Sequence, residues 1–162
     1  TIRDWKKNLK IGLIIFLAMA IPGTFYSNTA SLIINGRLSI NQILIGFLSS
    51  FTYYFFMAGF PEEFFYRAFL QTRFSLILKS KISGVVLVSL LFGLPHITDI
   101  IQWYPDITIY SAFCRAFFVQ TFFGLITGVL WARTGNLIPC ILLHTGVNGL
   151  NNLWYIVSKF GI

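Results

Sequence analysis

The stretch INQILIGFLSSFTYYFFMAGF, residues 40–60, contains no Asp, Glu, Lys, Arg or His. A helix that crosses the apolar core of a bilayer needs roughly 17–25 predominantly apolar residues, and this run meets that length. Its apolar residues are continuous, without the strict alternation that is typical of strands in membrane barrels. We therefore predict a membrane-spanning α-helix for this stretch.

Further segments on either side of this run meet or approach the same length. They are residues 9–26, 61–78, 82–97, 108–131 and 137–157. Short polar or Gly/Pro-containing stretches separate them, and no internal repeat or long linker interrupts the series. The pattern predicts an all-α fold, a polytopic transmembrane helix bundle of about six membrane helices. We expect it to form a single membrane-embedded domain over residues 1–162.

The composition indicates a lipid environment. Hydrophobic residues make up 56% of the chain and charged residues 10%, whereas soluble domains have about 25% charged residues. The net charge of +7 arises mostly from Lys and Arg near the ends of the apolar runs, where they suit anionic lipid. The sequence contains no basic stripe on a soluble element, so it does not indicate nucleic-acid binding. Cys114 and Cys140 lie inside apolar runs, so we assign them to packing rather than to a disulfide.

Ionisable residues inside membrane spans are costly and are often functional. The first such cluster is PEEFFYR, residues 61–67. Pro61 suits the first position of a new helix, and carboxylates suit its first turn. Glu63 and Arg67 are four residues apart and can pair on one helix face, whereas Glu62 points about 100° away. This spacing predicts a paired Glu63 and a reactive Glu62; the alternative is a capped helix end with both glutamates solvated.

Two more clusters contain the only histidines of the chain. His96 follows Pro95 near the end of a span, where a purely structural histidine is the alternative to a catalytic one. His144 and Asn148 are four residues apart, so they share a helix face in the last span. Asn151 and Asn152 extend that face, and adhesion between helices through polar side chains is the alternative to chemistry.

A fourth group, centred on Arg115, carries no predicted chemistry. The arginine either extends to the interface or neutralises an acidic partner, Asp99 or Asp106. Gly124 and Gly128 have the small-xxx-small spacing of a helix-packing face.

The turn Lys79-Ser80-Lys81 brings two of these clusters to one level if it closes an antiparallel helix pair. Glu62 lies 18 residues before Ser80 and His96 lies 16 residues after it. At about 1.5 Å per residue the two side chains lie within roughly 3 Å of the same depth. His144 lies deeper in its span, so a common site requires a tilted or sunken helix.

Taken in order, Glu62-Glu63-xxx-Arg67, Phe92-xxx-His96 and His144-xxx-Asn148 resemble the motifs of the CPBP family of intramembrane proteases. That family includes the CAAX prenyl endopeptidases and bacterial abortive-infection and bacteriocin-immunity proteins. The resemblance covers roughly residues 40–157. It implies that Glu62 is the general base that activates water and that His96 helps to hold this water. It implies His144 and Asn148 as oxyanion donors. The supporting residues that it implies are Glu63 and Arg67.

The residues leave the use of a metal open. Glu62, His96 and His144 would make a reasonable catalytic zinc set, but no H-E-x-x-H motif is present. The resemblance also supports a metal-free water activated by glutamate. An amide such as Asn148 is a poor zinc ligand and a good oxyanion donor, so we favour no cofactor over zinc.

The expected function is that of an intramembrane endopeptidase, a multi-pass protein of a prokaryotic plasma membrane. Its substrate would be a peptide or protein, lipidated or not, cleaved near the membrane surface. One alternative is a non-catalytic scaffold, or an immunity or partner-binding protein that keeps the fold. Another is a small transporter, although transporters tend to show two related halves and this chain has no internal repeat.

Overall fold

A computed structural model describes residues 10, 12–18 and 28–160 of the 162-residue chain. Apart from a helical segment at residues 12–18, the described chain forms six helices and no strand. They are α1 (Asn28–Ile34), α2 (Ile40–Ile77), α3 (Lys81–Trp103), α4 (Ile109–Thr134), α5 (Leu137–Asn151) and α6 (Leu153–Phe160). The predicted all-α fold is confirmed.

Three of these helices, α2, α3 and α4, are long and apolar enough to cross a membrane. The predicted spans at 82–97 and 108–131 are confirmed within α3 and α4. The last predicted span, 137–157, is divided between α5 and α6 by a turn at Asn152. Most of the span predicted at 9–26 lies outside the described residues.

The predicted helix break before Pro61 is wrong, because residues 40–60 and 61–77 belong to the single helix α2, of which Leu78 is the C-cap. Two π-helical segments lie close to the proline, at Phe55–Gly59 and Phe64–Gln71. The Phe60 N–H donates to the Phe55 carbonyl five residues back. Proline inside an α-helix clashes with a preceding carbonyl and lacks an N–H. The wider π turn changes the bonding pattern at this point, which lets the helix continue.

The chain divides into two compact units. Unit 1 comprises Thr1–Glu63 with Ile138–Ile162, and unit 2 comprises Phe64–Leu137. The single domain expected over residues 1–162 stays a prediction.

In unit 2, the end of α2 and the start of α3 form the predicted helical hairpin. Leu78 is the C-cap of the first helix and Ser80 is the N-cap of the second, its hydroxyl accepting from the Ser83 N–H at 3.2 Å. Helix α4 packs on α3 through Gly124, where an added Cβ would lie 3.2 Å from Ser89 Cα. Gly128 similarly abuts Val85 and Gln71. The predicted glycine packing face is therefore confirmed.

In unit 1, α2 and α5 approach closely through small residues. Buried Ser50 donates a hydrogen bond of 2.7 Å to the Gly149 carbonyl. At Gly59, an added Cβ would collide with the Thr145 hydroxyl and lie 3.3 Å from the Ile141 carbonyl oxygen. Because Gly59 precedes the glutamates by one turn, this contact sets how near they come to α5.

Gly59→Ala should destabilise the protein by about 1–3 kcal/mol, because the methyl group overpacks the contact with Thr145. Thermal unfolding in detergent measures the effect. Gly12→Ala is the matched control, since nothing lies within 4 Å of a Cβ added at Gly12. Thr145→Ala should partly restore the stability of the Gly59→Ala protein. Equal unfolding temperatures for the two alanine variants would contradict this packing.

Candidate active site

The centre of the polar cluster in unit 1 is the contact between His144 and Glu63. His144 Nδ1 lies 2.8 Å from Glu63 Oε1. Glu63 has no solvent exposure and His144 has 3%. With Glu63 ionised, the Nδ1–H of the ring donates to the carboxylate, a bond stronger than one between neutral partners. This bond sets the orientation of the imidazole and directs its second nitrogen, Nε2, away from Glu63.

Glu62 lies on the other side of the same ring. Its Oε2 is 3.9 Å from His144 Nε2, and its side chain is 30% exposed. The two adjacent glutamates therefore contact the two nitrogens of one histidine, one glutamate in the interior and the other partly open. Glu63 is buried and Glu62 is partly exposed, and the roles of a structural Glu63 and a reactive Glu62 stay predictions. Within unit 1, Glu63 forms its hydrogen bond with His144.

The remaining predicted residue of this unit, Asn148, lies one turn beyond His144 on α5 and is half-buried. Its carbonyl accepts a 2.9 Å hydrogen bond from the Asn152 side chain, next to the turn that separates α5 from α6. Asn152 therefore stabilises the end of α5, and its side chain does not extend the polar face of His144 and Asn148. The structure places Glu62, His144 and Asn148 in unit 1.

His96 belongs to unit 2, where Phe92 holds it. His96 Nδ1 lies 2.8 Å from the Phe92 carbonyl oxygen, and the two ring centroids are 4.9 Å apart. A carbonyl can only accept, so Nδ1 carries the proton and Nε2 of the neutral ring keeps its lone pair. The half-buried ring thus presents an acceptor nitrogen.

Arg67 is buried in the same unit, with no solvent exposure. Its guanidinium carbon lies 5.2 Å from the centroid of the Phe92 ring, within the range of a cation–π contact. Tyr66 packs on the same ring edge-to-face at 5.0 Å. Phe92 is therefore the shared packing partner of three polar motif residues. The predicted Glu63–Arg67 pair joins residues of different units and stays a prediction.

Arg115, for which an acidic partner was one alternative, contacts Tyr104. Its Nη2 donates to the Tyr104 hydroxyl at 3.3 Å, and its guanidinium lies 4.5 Å from the centroid of that ring. The two cysteines are free thiols. Neither observation adds a reactive group to the site.

Unit 1 supplies fewer zinc-binding atoms than a catalytic zinc site needs. Such sites use three protein ligands, whereas Glu63 already engages one nitrogen of His144. The other nitrogen and Glu62 supply two donors. Over residues 10, 12–18 and 28–160, no three His, Cys, Asp or Glu side chains are grouped closely enough to hold a metal ion. Glu62, Glu63 and His144 alone therefore do not make a zinc site, and the zinc set Glu62, His96 and His144, which joins residues of different units, stays a prediction.

Sequence reasoning did not identify Gly59 or Thr145, and it gave Phe92, although part of a motif, no role of its own. Gly59 and Thr145 bring α2 against α5, and Phe92 orients His96 through its carbonyl and contacts Arg67 through its ring. The available signals were a glycine one turn before paired glutamates and an aromatic residue four positions before a histidine. Neither signal distinguishes packing from a functional role without coordinates.

Glu63→Ala should lower the free energy of unfolding by about 1.5–3 kcal/mol, because it leaves the buried His144 N–H without its carboxylate acceptor. Glu63→Gln should lose less, since the amide oxygen still accepts. Thermal unfolding in detergent compares both with Asp106→Ala, which removes an exposed carboxylate. If Glu63→Ala unfolds at the control's temperature, the buried bond is not a stabilising one.

Comparison with known proteins gives one match. The chain matches the family described as type II CAAX prenyl endopeptidase, Rce1-like, over residues 44–150, more than half of its length. No curated protein and no solved structure is significantly similar to it. The matched region contains all the motif residues described above, and the apolar helices are those of an integral membrane protein. The chain therefore belongs to the Rce1-like type II CAAX prenyl endopeptidase family and is an intramembrane protease of that class.

Proposed function

We propose that this protease hydrolyses a peptide bond with a water molecule activated by Glu62, and that His144 and Asn148 stabilise the oxyanion. The observation that supports the proposal most directly is the pairing of the two glutamates with opposite nitrogens of His144. One carboxylate holds the ring and the other lies at its reactive side. A structural ion pair alone would require only one of them.

The distance between Glu62 Oε2 and His144 Nε2 suits a shared water. Hydrogen-bond partners in general base catalysis lie about 2.6–3.2 Å apart. One water oxygen can lie within that range of both atoms, because they are 3.9 Å apart. The Glu62 side chain is 30% exposed while its Oε2 atom is buried, so a water at this atom would be shielded from bulk solvent. In this proposal Glu62 takes a proton as the water oxygen attacks the carbonyl carbon.

The protonation of His144 determines which step it serves. With Nδ1–H directed at Glu63, the neutral ring has an acceptor at Nε2 and cannot donate to an oxyanion. The oxyanion role in this proposal therefore requires a second proton, on Nε2, so that this nitrogen can donate to the tetrahedral oxygen. The Asn148 amide supplies a neutral donor one turn away.

His96 is proposed to hold the attacking water. Its Nδ1–H is engaged by the Phe92 carbonyl, so its Nε2 is the acceptor available to a water proton. Arg67 and Glu63 are supporting residues in this scheme. They set the positions of side chains and do not touch the reacting atoms.

The substrate is a peptide or protein, as for a protease of this family. We propose that cleavage takes place close to the membrane surface and that a lipidated segment is an acceptable substrate, because the enzyme's own spans lie in lipid. A prokaryotic plasma membrane remains the proposed location. The non-catalytic alternative is tested by the same experiments as the mechanism.

Glu62→Gln should reduce kcat by about 10²–10⁴-fold, the usual contribution of a general base, because the amide cannot accept the proton of water. The measurement is cleavage of a fluorogenic peptide by the purified protein in liposomes. Asp106→Asn is the matched control for loss of an acidic group, and unchanged unfolding temperature shows that the fold is retained. Wild-type kcat in Glu62→Gln would contradict the assignment of the base.

Asn148→Ala should reduce kcat by about 10²–10³-fold with a small change in KM, because an oxyanion donor acts mainly in the transition state. Asn35→Ala serves as the control, since that asparagine is exposed on α1's C-terminal side. An increase in KM alone would assign Asn148 to substrate binding instead.

A further inference from the structure

Unit 2 contains a cleft that the proposed chemistry does not use. It has a volume of about 560 Å³ and lies between the end of α2, the start of α3 and the end of α4. Its lining includes the complete turn of the helical hairpin. The lining residues are Gln71, Thr72, Ser75, Leu76, Lys79, Ser80, Lys81, Trp131, Ala132 and Gly135.

The position of the cleft relative to lipid follows from the three spans. Helix α2 ends at Ile77, α3 begins at Lys81, and α4 ends at Thr134. All three boundaries adjoin the cleft, so it lies where the apolar core gives way to the headgroup layer. Trp131 and lysine side chains are typical of this layer. The cleft is therefore at the level of the phospholipid headgroups, which are the groups nearest to it in the membrane.

The charge around the cleft has one sign. Residues 71–81 and 131–137 contain Arg73, Lys79, Lys81 and Arg133 but no Asp or Glu. Two of these, Lys79 and Lys81, line the cleft, and both are exposed. Clustered lysines at a membrane boundary attract anionic headgroups, and basic pockets between membrane helices bind them.

The inner wall supplies a second, independent observation. Gln71 is 2% exposed, and its Nε2 donates a hydrogen bond of 2.8 Å to the Gly128 carbonyl. Its buried Oε1 accepts no hydrogen bond from any group in the described part of the chain. A buried acceptor without a donor is costly. A ligand carrying a hydroxyl or ammonium group would satisfy it.

The hairpin turn adds a third feature. Lys79 has a φ of 50°, a left-handed conformation in which helices usually end with glycine. The N–H groups of the first turn of α3 follow directly, and Ser80 caps only one of them by side chain. The turn thus places a lysine in a strained conformation next to backbone donors that suit a phosphate.

We propose that this cleft binds the headgroup of an anionic phospholipid, with its phosphate at Lys79, Ser80 and Lys81. A hydroxyl-bearing headgroup, such as the glycerol of phosphatidylglycerol, would donate to Gln71 Oε1. The bound lipid would hold the hairpin turn against the end of α4. This site is separate from the proposed catalytic chemistry, and its test does not depend on cleavage.

The test compares the full chain in nanodiscs of phosphatidylcholine with nanodiscs that also contain phosphatidylglycerol, by thermal unfolding, and counts retained lipid by native mass spectrometry. Wild-type protein should unfold at a higher temperature with phosphatidylglycerol and retain it selectively. Each lysine removed from the cleft, in Lys79→Gln and Lys81→Gln, should weaken retention roughly fivefold. The matched control is Arg37→Gln with Lys159→Gln, which removes the same charge from exposed positions in unit 1.

Lys79→Gly separates lipid binding from stability. Glycine relieves the left-handed strain, so this variant should unfold about 2–4 °C higher than wild type in phosphatidylcholine alone. It should nevertheless lose much of the further increase that phosphatidylglycerol gives. Phosphatidic acid lacks the glycerol hydroxyl, so wild-type protein should retain phosphatidylglycerol in preference to phosphatidic acid, and Gln71→Met should abolish this preference.

Two results would overturn the proposal. One is equal retention of phosphatidylglycerol by the double variant Lys79→Gln/Lys81→Gln and by the control double variant. The other is an equal stabilisation by inorganic phosphate at matched ionic strength in detergent, which would make the ligand a soluble phosphate rather than a lipid.

Discussion

The hydrogen bond between His144 and Glu63 is the constraint on which the packing of unit 1 depends. A carboxylate without solvent exposure is strongly unfavourable unless a donor satisfies it. Here one donor is an imidazole on a helix far away in sequence, so the packing of α5 against α2 contributes to the burial of Glu63. The close contact at Gly59 permits that approach. Packing and chemistry are thereby coupled, because the bond that makes Glu63 tolerable also orients the ring that faces Glu62.

In unit 2, a cation–π contact rather than an ion pair with a histidine accompanies the buried charge of Arg67. Arg67 is fully buried against the ring of Phe92, and the same residue orients His96 through its backbone carbonyl. An aromatic face offers a cation partial compensation where water is excluded. One apolar residue therefore positions two polar ones. The same unit has a basic cleft at its hairpin turn, lined by Lys79 and Lys81.

The π-helical segments of α2 explain how one helix carries both sets of residues. They lie on either side of the Pro61–Glu63 motif, at Phe55–Gly59 and Phe64–Gln71. π turns are rare and occur frequently at functional sites. Here they let proline stay inside the helix, and they change the angular spacing of the residues that follow. Glu63 and Arg67 therefore need not keep the alignment that a regular α-helix would give them.

The amino-acid sequence by itself determined the membrane class, the helical fold and the hairpin turn at Lys79–Lys81, because long uncharged runs and the short polar turns between them are local features. It wrongly predicted a helix end at Pro61, since the π turn that accommodates this proline has no simple local signature. Only the tertiary structure showed that Glu63 contacts His144 and which nitrogen of His144 faces Glu62. Those choices depend on contacts between residues about eighty positions apart, and spacing along one helix cannot specify them.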